Sequence, residues 1–129
     1  TGLEEFRNRE LSQLSGGQRQ RVFIAMALAQ NTKILFLDEP TTYLDLRYQL
    51  DILRLVKKLN REYGITIVMV LHEINQAIHF SDEVIGLKDG KVLVQGDPKD
   101  VITTESISEL YDVHLNVADI DGQKFVLTV

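Results

Sequence analysis

Three groups of residues in this chain have types and spacing suited to chemistry on a phosphate. The first is Asp38-Glu39, two adjacent carboxylates directly after the apolar run Ile34 to Leu37. Such a run, bounded by Lys33 and Asp38, reads as a buried parallel strand with acids at its carboxyl end. Open α/β sheets bind ligands at that end. Neighbouring strand residues face opposite sides, so one acid can serve a metal ion and the other a water. Pro40 then ends the ladder and is expected to hold Glu39 extended. The plain alternative is a pair of acids before a turn.

The second group is Ser15-Gly16-Gly17-Gln18, within LSGGQRQR (14–21). Serine at a helix N-cap with glutamine at the third helical position is a capping-box pattern, and two glycines let a ligand approach the backbone. The unpaired N–H groups and positive end of a first helical turn suit an anion. An ordinary capped helix with a Gly-Gly turn is the competing reading. The third group is His72, at the end of the apolar, β-branched run 65–71. A lone histidine there is commonly structural, but this one stands at a carboxyl strand end, as Asp38 and Glu39 do. His79 and His114 have no such support and read as structural.

The elements that must position these groups follow from periodicity. A helix is expected from Gly16 to about Gln30, apolar nearly all round from Val22 to Ala29 and so buried on most sides. Asp45 stands where a cap would begin a long helix, with Leu46, Leu50, Leu53, Val56, Leu59 and Tyr63 at steps of three and four and Gly64 as its stop. Glu73 to about Phe80 reads as a further helix. Runs 83–87 and 91–96 flank Lys88-Asp89-Gly90 as a hairpin, and Asp97-Pro98 starts a short helical turn. Thr104 is expected to cap a helix to about Tyr111, and runs 115–118 and 124–129 form a small hairpin across Asp121-Gly122.

Taken together, the motifs resemble those of the ATP-binding-cassette (ABC) ATPases. LSGGQ is similar to that family's signature motif and ILFLDE to its Walker B motif with the catalytic glutamate. Thr42-Tyr43-Leu44-Asp45 falls where the family has its D-loop, and His72 where it has its switch histidine. The resemblance implies an α/β fold: part of a P-loop NTPase (RecA-like) domain, a mostly parallel sheet with flanking helices and a small terminal β-hairpin. On that pattern residues 1–30 end the helical subdomain, 31–96 belong to the core, and 97–129 are carboxyl-terminal helices and hairpin. No G-x-x-x-x-G-K-[ST] phosphate loop occurs in the 129 residues, so the resemblance is to the carboxyl-terminal half of such a domain, with the phosphate-loop strand missing. That strand is expected between runs 65–71 and 83–87, and self-association is the expected cover for strand edges left open.

Roles carried over by the resemblance are Mg²⁺ on Asp38, water activation by Glu39, γ-phosphate contact by His72, and contact with ATP of an opposing subunit by Ser15, Gly16, Gly17 and Gln18. Asp45 would communicate across a head-to-tail dimer. The implied cofactors are ATP and Mg²⁺. The implied partners are a second ATPase subunit, transmembrane permease subunits and, indirectly, a substrate-binding protein, which puts the chain at the cytoplasmic face of the membrane. The segment from Thr41 to Leu53 and that from Val70 to Pro98 look like the ATPase subunits of ferric-siderophore, haem or cobalamin importers, with Glu73 where that group more often has Asp. A soluble ABC ATPase of DNA repair or translation and a non-catalytic interaction module are the rivals.

Composition fits a single cored domain: 44% hydrophobic residues, no cysteine for a disulfide framework or thiolate metal site, and a net charge of −5. That charge argues against a nucleic-acid partner, although Arg7, Arg9, Arg19 and Arg21 could form a local basic patch. No apolar run approaches the length of a membrane span.

Overall fold

Helices and strands alternate over the first part of the chain and then come in pairs, in a computed structural model that describes residues 16–128, with backbone alone for 16–21 and 23. Contacts divide the chain into two units, 1–71 and His72–Val129. The first contains α1 (Gly16–Ala29), β1 (Ile34–Asp38), α2 (Leu46–Tyr63) and β2 (Thr66–Val70). β1 and β2 pair in parallel, Ile34 opposite Thr66 and Asp38 opposite Val70, so both strands end on the same side. α2 and α1 cover one face of the pair. Ala27, Leu55, Leu59 and Ile65 form the core, with Ile24, Leu35 and Ile67 packed against it.

Helix ends follow the local chemistry. α1 closes in a Schellman arrangement: Asn31, with φ 49°, donates to the Leu28 carbonyl, and Thr32 donates to that of Ala27. α2 stops at Gly64, φ 66°, whose N–H reaches the Asn60 carbonyl at 3.0 Å, as its place in the sequence suggests. Two expectations of burial are corrected. Met26 and Leu28 are each 47% exposed, so α1 buries one face and not most sides. β1 and β2 alternate between covered and exposed residues, leaving Phe36 75% and Val70 52% exposed. An all-apolar parallel strand implies a layer on each face. Among the described residues of this unit, helices supply one.

The second unit contains α3 (Ile74–Phe80), β3 (Val84–Lys88), β4 (Lys91–Gly96), α4 (Pro98–Val101), α5 (Thr104–Tyr111), β5 (Asn116–Ile120) and β6 (Gln123–Leu127). β3–β4 and β5–β6 are antiparallel hairpins, so β1–β2 is the parallel part of the α/β fold among the described residues. Both hairpins turn on Asp-Gly, with positive φ at Asp89 and Gly90 and at Asp121 and Gly122. Two successive left-handed residues give the turn whose twist matches paired strands. Ile78, Ile102, Ile107 and Val126 form this unit's core. The cap of α5 is Thr103 and not Thr104: its hydroxyl accepts from the Ser106 N–H while the Ser106 hydroxyl accepts from the Thr103 N–H. Serine does here what Glu or Gln does in the usual capping box.

Candidate functional site

Asp38 is the last residue of β1 and lies on the exposed face of the pair, with Phe36. Glu39 departs from the expected extended form. Its φ is 52°, left-handed, although Pro40 follows, a combination disfavoured for any residue with a Cβ. The cause lies in the pairing, because the Glu39 N–H donates to the Val70 carbonyl at 2.9 Å and the chain must then turn at once. The acids therefore sit at the shared carboxyl end of two parallel strands, but Glu39 belongs to the turn and does not continue β1's alternation.

Two consecutive turns lead from there to α2. Thr42 N–H closes on the Glu39 carbonyl at 3.2 Å with Pro40 second in the turn, and Leu44 N–H closes on the Thr41 carbonyl at 3.3 Å. In the second turn Tyr43 occupies the position that favours glycine, with φ 64°, and its side chain is wholly exposed. A large aromatic held left-handed with nothing packed on it costs stability and marks a place to look for function. Asp45 occupies the N-cap position of α2, and its carbonyl accepts from the Gln49 N–H at 2.9 Å. Asp45 is therefore the cap by position, as expected, although its carboxylate makes no capping bond. Gln49 ties back to the Leu44 carbonyl through its Nε2 at 2.8 Å and fixes the loop's return into the helix.

His72 opens the second unit, exposed, two residues beyond the end of β2. It directly precedes Glu73, whose carboxylate caps α3 by accepting from the Asn75 and Gln76 N–H groups at 3.2 and 2.7 Å. Gly16, Gly17 and Gln18 form the start of α1, their side chains outside the described residues. Ser15 lies outside altogether, and with it the expected capping box. Among the described residues no group of three or more His, Asp or Glu could enclose a metal ion. A single carboxylate suits Mg²⁺, which keeps several waters and takes its remaining ligands from phosphate oxygens. No helix of the described residues is long and apolar enough to cross a membrane.

Local sequence reasoning missed the polar ties of α3. The Asn75 side chain donates through Nδ2 to the Val126 carbonyl at 3.1 Å and accepts from the Val126 N–H at 2.8 Å. One turn on, the His79 ring meets Phe125 edge-on at 4.5 Å, and its Nε2 lies 3.2 Å from the Lys124 carbonyl. A carbonyl only accepts, so that nitrogen carries the proton. His79 is thus structural, as expected, and the amide beside it could have been recognised only by knowing what faces it across 51 residues.

Comparison with known proteins agrees with these motifs. The model of the family described as "ABC transporter" matches residues 1–42. The ferric enterobactin transport ATP-binding protein of Escherichia coli is 46% identical over 119 residues, covering 92% of this chain and 44% of that protein. The iron(3+)-hydroxamate import ATP-binding protein of Bacillus subtilis is 50% identical over 117 residues, covering 91% and 44% respectively. The chain thus spans somewhat under half the length of these curated relatives. Among solved structures, a metal-chelate type ABC transporter in an inward-facing conformation matches 97% of this chain and 50% of its own, with TM-score 0.75 and 31% identity. A dimeric ATP-binding cassette bound to ADP and Pi matches 73% of this chain and 40% of its own, with TM-score 0.56 and 49% identity.

Proposed function

Since the chain belongs to the ABC transporter ATP-binding proteins, we propose that it forms part of the ATP-hydrolysing subunit of an importer for an iron–siderophore or related metal chelate. The observation that carries the reading is the pair of acids at the shared carboxyl end of β1 and β2, with His72 two residues past β2. Phosphoryl transfer to water depends mainly on positioning and on neutralising charge at the phosphate oxygens. Asp38 would hold Mg²⁺ through an intervening water, and Glu39 orients or deprotonates the attacking water. His72 donates to the γ-phosphate and fixes the water's direction. When bound, the metal would supply charge neutralisation on the phosphates.

Ser15, Gly16, Gly17 and Gln18 serve ATP held on the opposing subunit of a head-to-tail dimer, and Asp45 and Tyr43 lie on the loop that carries information between the two sites. A dimeric bound cassette among the structural relatives supports that arrangement. Permease subunits hold the complex at the cytoplasmic face of the membrane, and the cargo is recognised by the permease and a substrate-binding protein. The metal-chelate transporter at TM-score 0.75 and the ferric-chelate relatives favour this reading over a soluble ABC ATPase of DNA repair or translation.

The test is a graft. This chain replaces the matching segment of the Bacillus relative, and ferric-hydroxamate uptake is measured in a strain lacking that protein. Uptake restored by the graft and lost with His72→Ala supports the reading. A folded, expressed graft that restores uptake equally with and without His72 would overturn the role given to that residue.

A further inference from the structure

The carboxyl-terminal hairpin is tied by an amide side chain to the helix that follows the candidate histidine. β6 carries outward-facing backbone groups at Val126, and the Asn75 side chain satisfies both, the N–H at 2.8 Å and the carbonyl at 3.1 Å, as a neighbouring strand would. His79, one turn along the same helix face, reaches the Lys124 carbonyl two residues back on the same strand edge. On the hairpin's other edge the Val117 N–H is held by the Thr104 hydroxyl at 3.1 Å. Among the described residues, side chains and not a further strand meet these outward-facing groups on the two edges of β5–β6.

Asn75 does a second thing at the same time. Its own N–H belongs to the Glu73 cap, and Glu73 is the residue after His72. α3 is only seven residues long, too short to hold itself in place by helical propensity. What fixes it is Ile78 in the core together with the amide pair on Val126, which is 3% exposed. We propose that Asn75 is a positioning residue for His72: through its paired bonds to Val126, the terminal hairpin fixes the first turn of α3 and with it the imidazole of the residue just before that helix's cap. This rests on the role given to His72 above. Asn75 itself touches no reacting atom.

The full 129-residue chain serves for the test, because the readout is spectroscopic and independent of turnover. Ring resonances of His72 and amide exchange at Asn75, Gln76 and Ala77 are followed by NMR in the parent, in Asn75→Ala, in Asn75→Asp, and in Ser108→Ala as control. Ser108 accepts from the Leu115 N–H at 3.0 Å and returns a bond to its carbonyl, so its loss weakens the same unit without touching α3. Asn75→Ala is expected to speed exchange at those three amides about tenfold relative to α5 and to shift the His72 ring signals. Asn75→Asp keeps the acceptor for the Val126 N–H but sets a carboxylate oxygen against the Val126 carbonyl, so it should give a change of the same sign. Ser108→Ala should leave the His72 signals in place. The proposal is overturned if Asn75→Ala and Asn75→Asp leave the ring and the amides unchanged, or if Ser108→Ala moves them as much. Failure of the His72 role would show instead as uptake unaffected by His72→Ala, with these NMR differences intact.

Discussion

Replacing Tyr43 with glycine should stabilise the chain, although it removes a whole aromatic ring. Tyr43 has φ 64° in the third position of a turn closed by Leu44 on Thr41, and its side chain is fully exposed, so deletion forfeits no packing. A residue with a Cβ in that conformation costs about 1–2 kcal/mol relative to glycine. Glycine gives back about 0.4–1 kcal/mol through its freer unfolded chain. The net gain is about 0.5–1 kcal/mol. Spread over an unfolding entropy of about 2.1 cal/mol/K per residue, it corresponds to a rise in melting temperature of about 2–4 °C for the whole chain, or about 3–7 °C if the first unit melts alone. Tyr43→Ala removes the same ring and keeps the strain, so the difference between the two variants isolates the backbone cost. Urea unfolding at constant slope is the assay. A glycine variant less stable than the alanine variant by 0.5 kcal/mol or more, a margin set by the spread of such substitutions, would refute the reasoning. The expected result makes Tyr43 a residue kept against stability, as residues that meet a partner or ligand often are.

Two further outcomes follow from packing and charge. A Cβ added at Gly86 would lie 2.5 Å from Val94 Cγ2 and 3.2 Å from Leu110 Cδ2, and Val94 is stiff and directly opposite on β4, so Gly86→Ala should cost about 1–2 kcal/mol in urea unfolding. Adding Val94→Ala to Gly86→Ala should relieve the clash, which a larger loss in the double variant would contradict. Burial, and then the nearby Glu73 carboxylate, raise the pKa of Tyr111 above its ordinary value of 10.0. The unfolded chain releases that proton first, so the contribution of the neutral phenol is intact below about pH 10 and fades as pH rises through the folded value. Tyr111→Phe should flatten this alkaline loss in thermal melts taken between pH 9 and pH 11, a window about one unit either side of the ordinary phenol value.

Residues that act on their immediate neighbours were legible from sequence. Gly64 stops α2, Asp89-Gly90 and Asp121-Gly122 turn the hairpins, and Pro98 opens α4, because each rule concerns backbone conformation within a turn. Glu39 shows where such rules give way. Proline after it favours an extended residue, yet the bond from its N–H to Val70, on a strand far along the chain, holds it left-handed. The acids and the histidine could be located by type and spacing, but the conformation of Glu39 could not. Burial was misjudged for a similar reason: the pattern of β1 says that both faces are apolar, not what covers them. The Asn75 bonds to Val126 join positions 51 apart and leave no local periodic trace.

Everything proposed for the acids converges on Glu39 as the group that readies water for attack. In the graft described above, ATP binding and steady-state ATP hydrolysis are measured side by side for the parent and Glu39→Gln. Loss of turnover by about 10²-fold or more, with ATP binding unchanged, is the predicted result. Equal turnover in the two proteins would contradict the account at its centre.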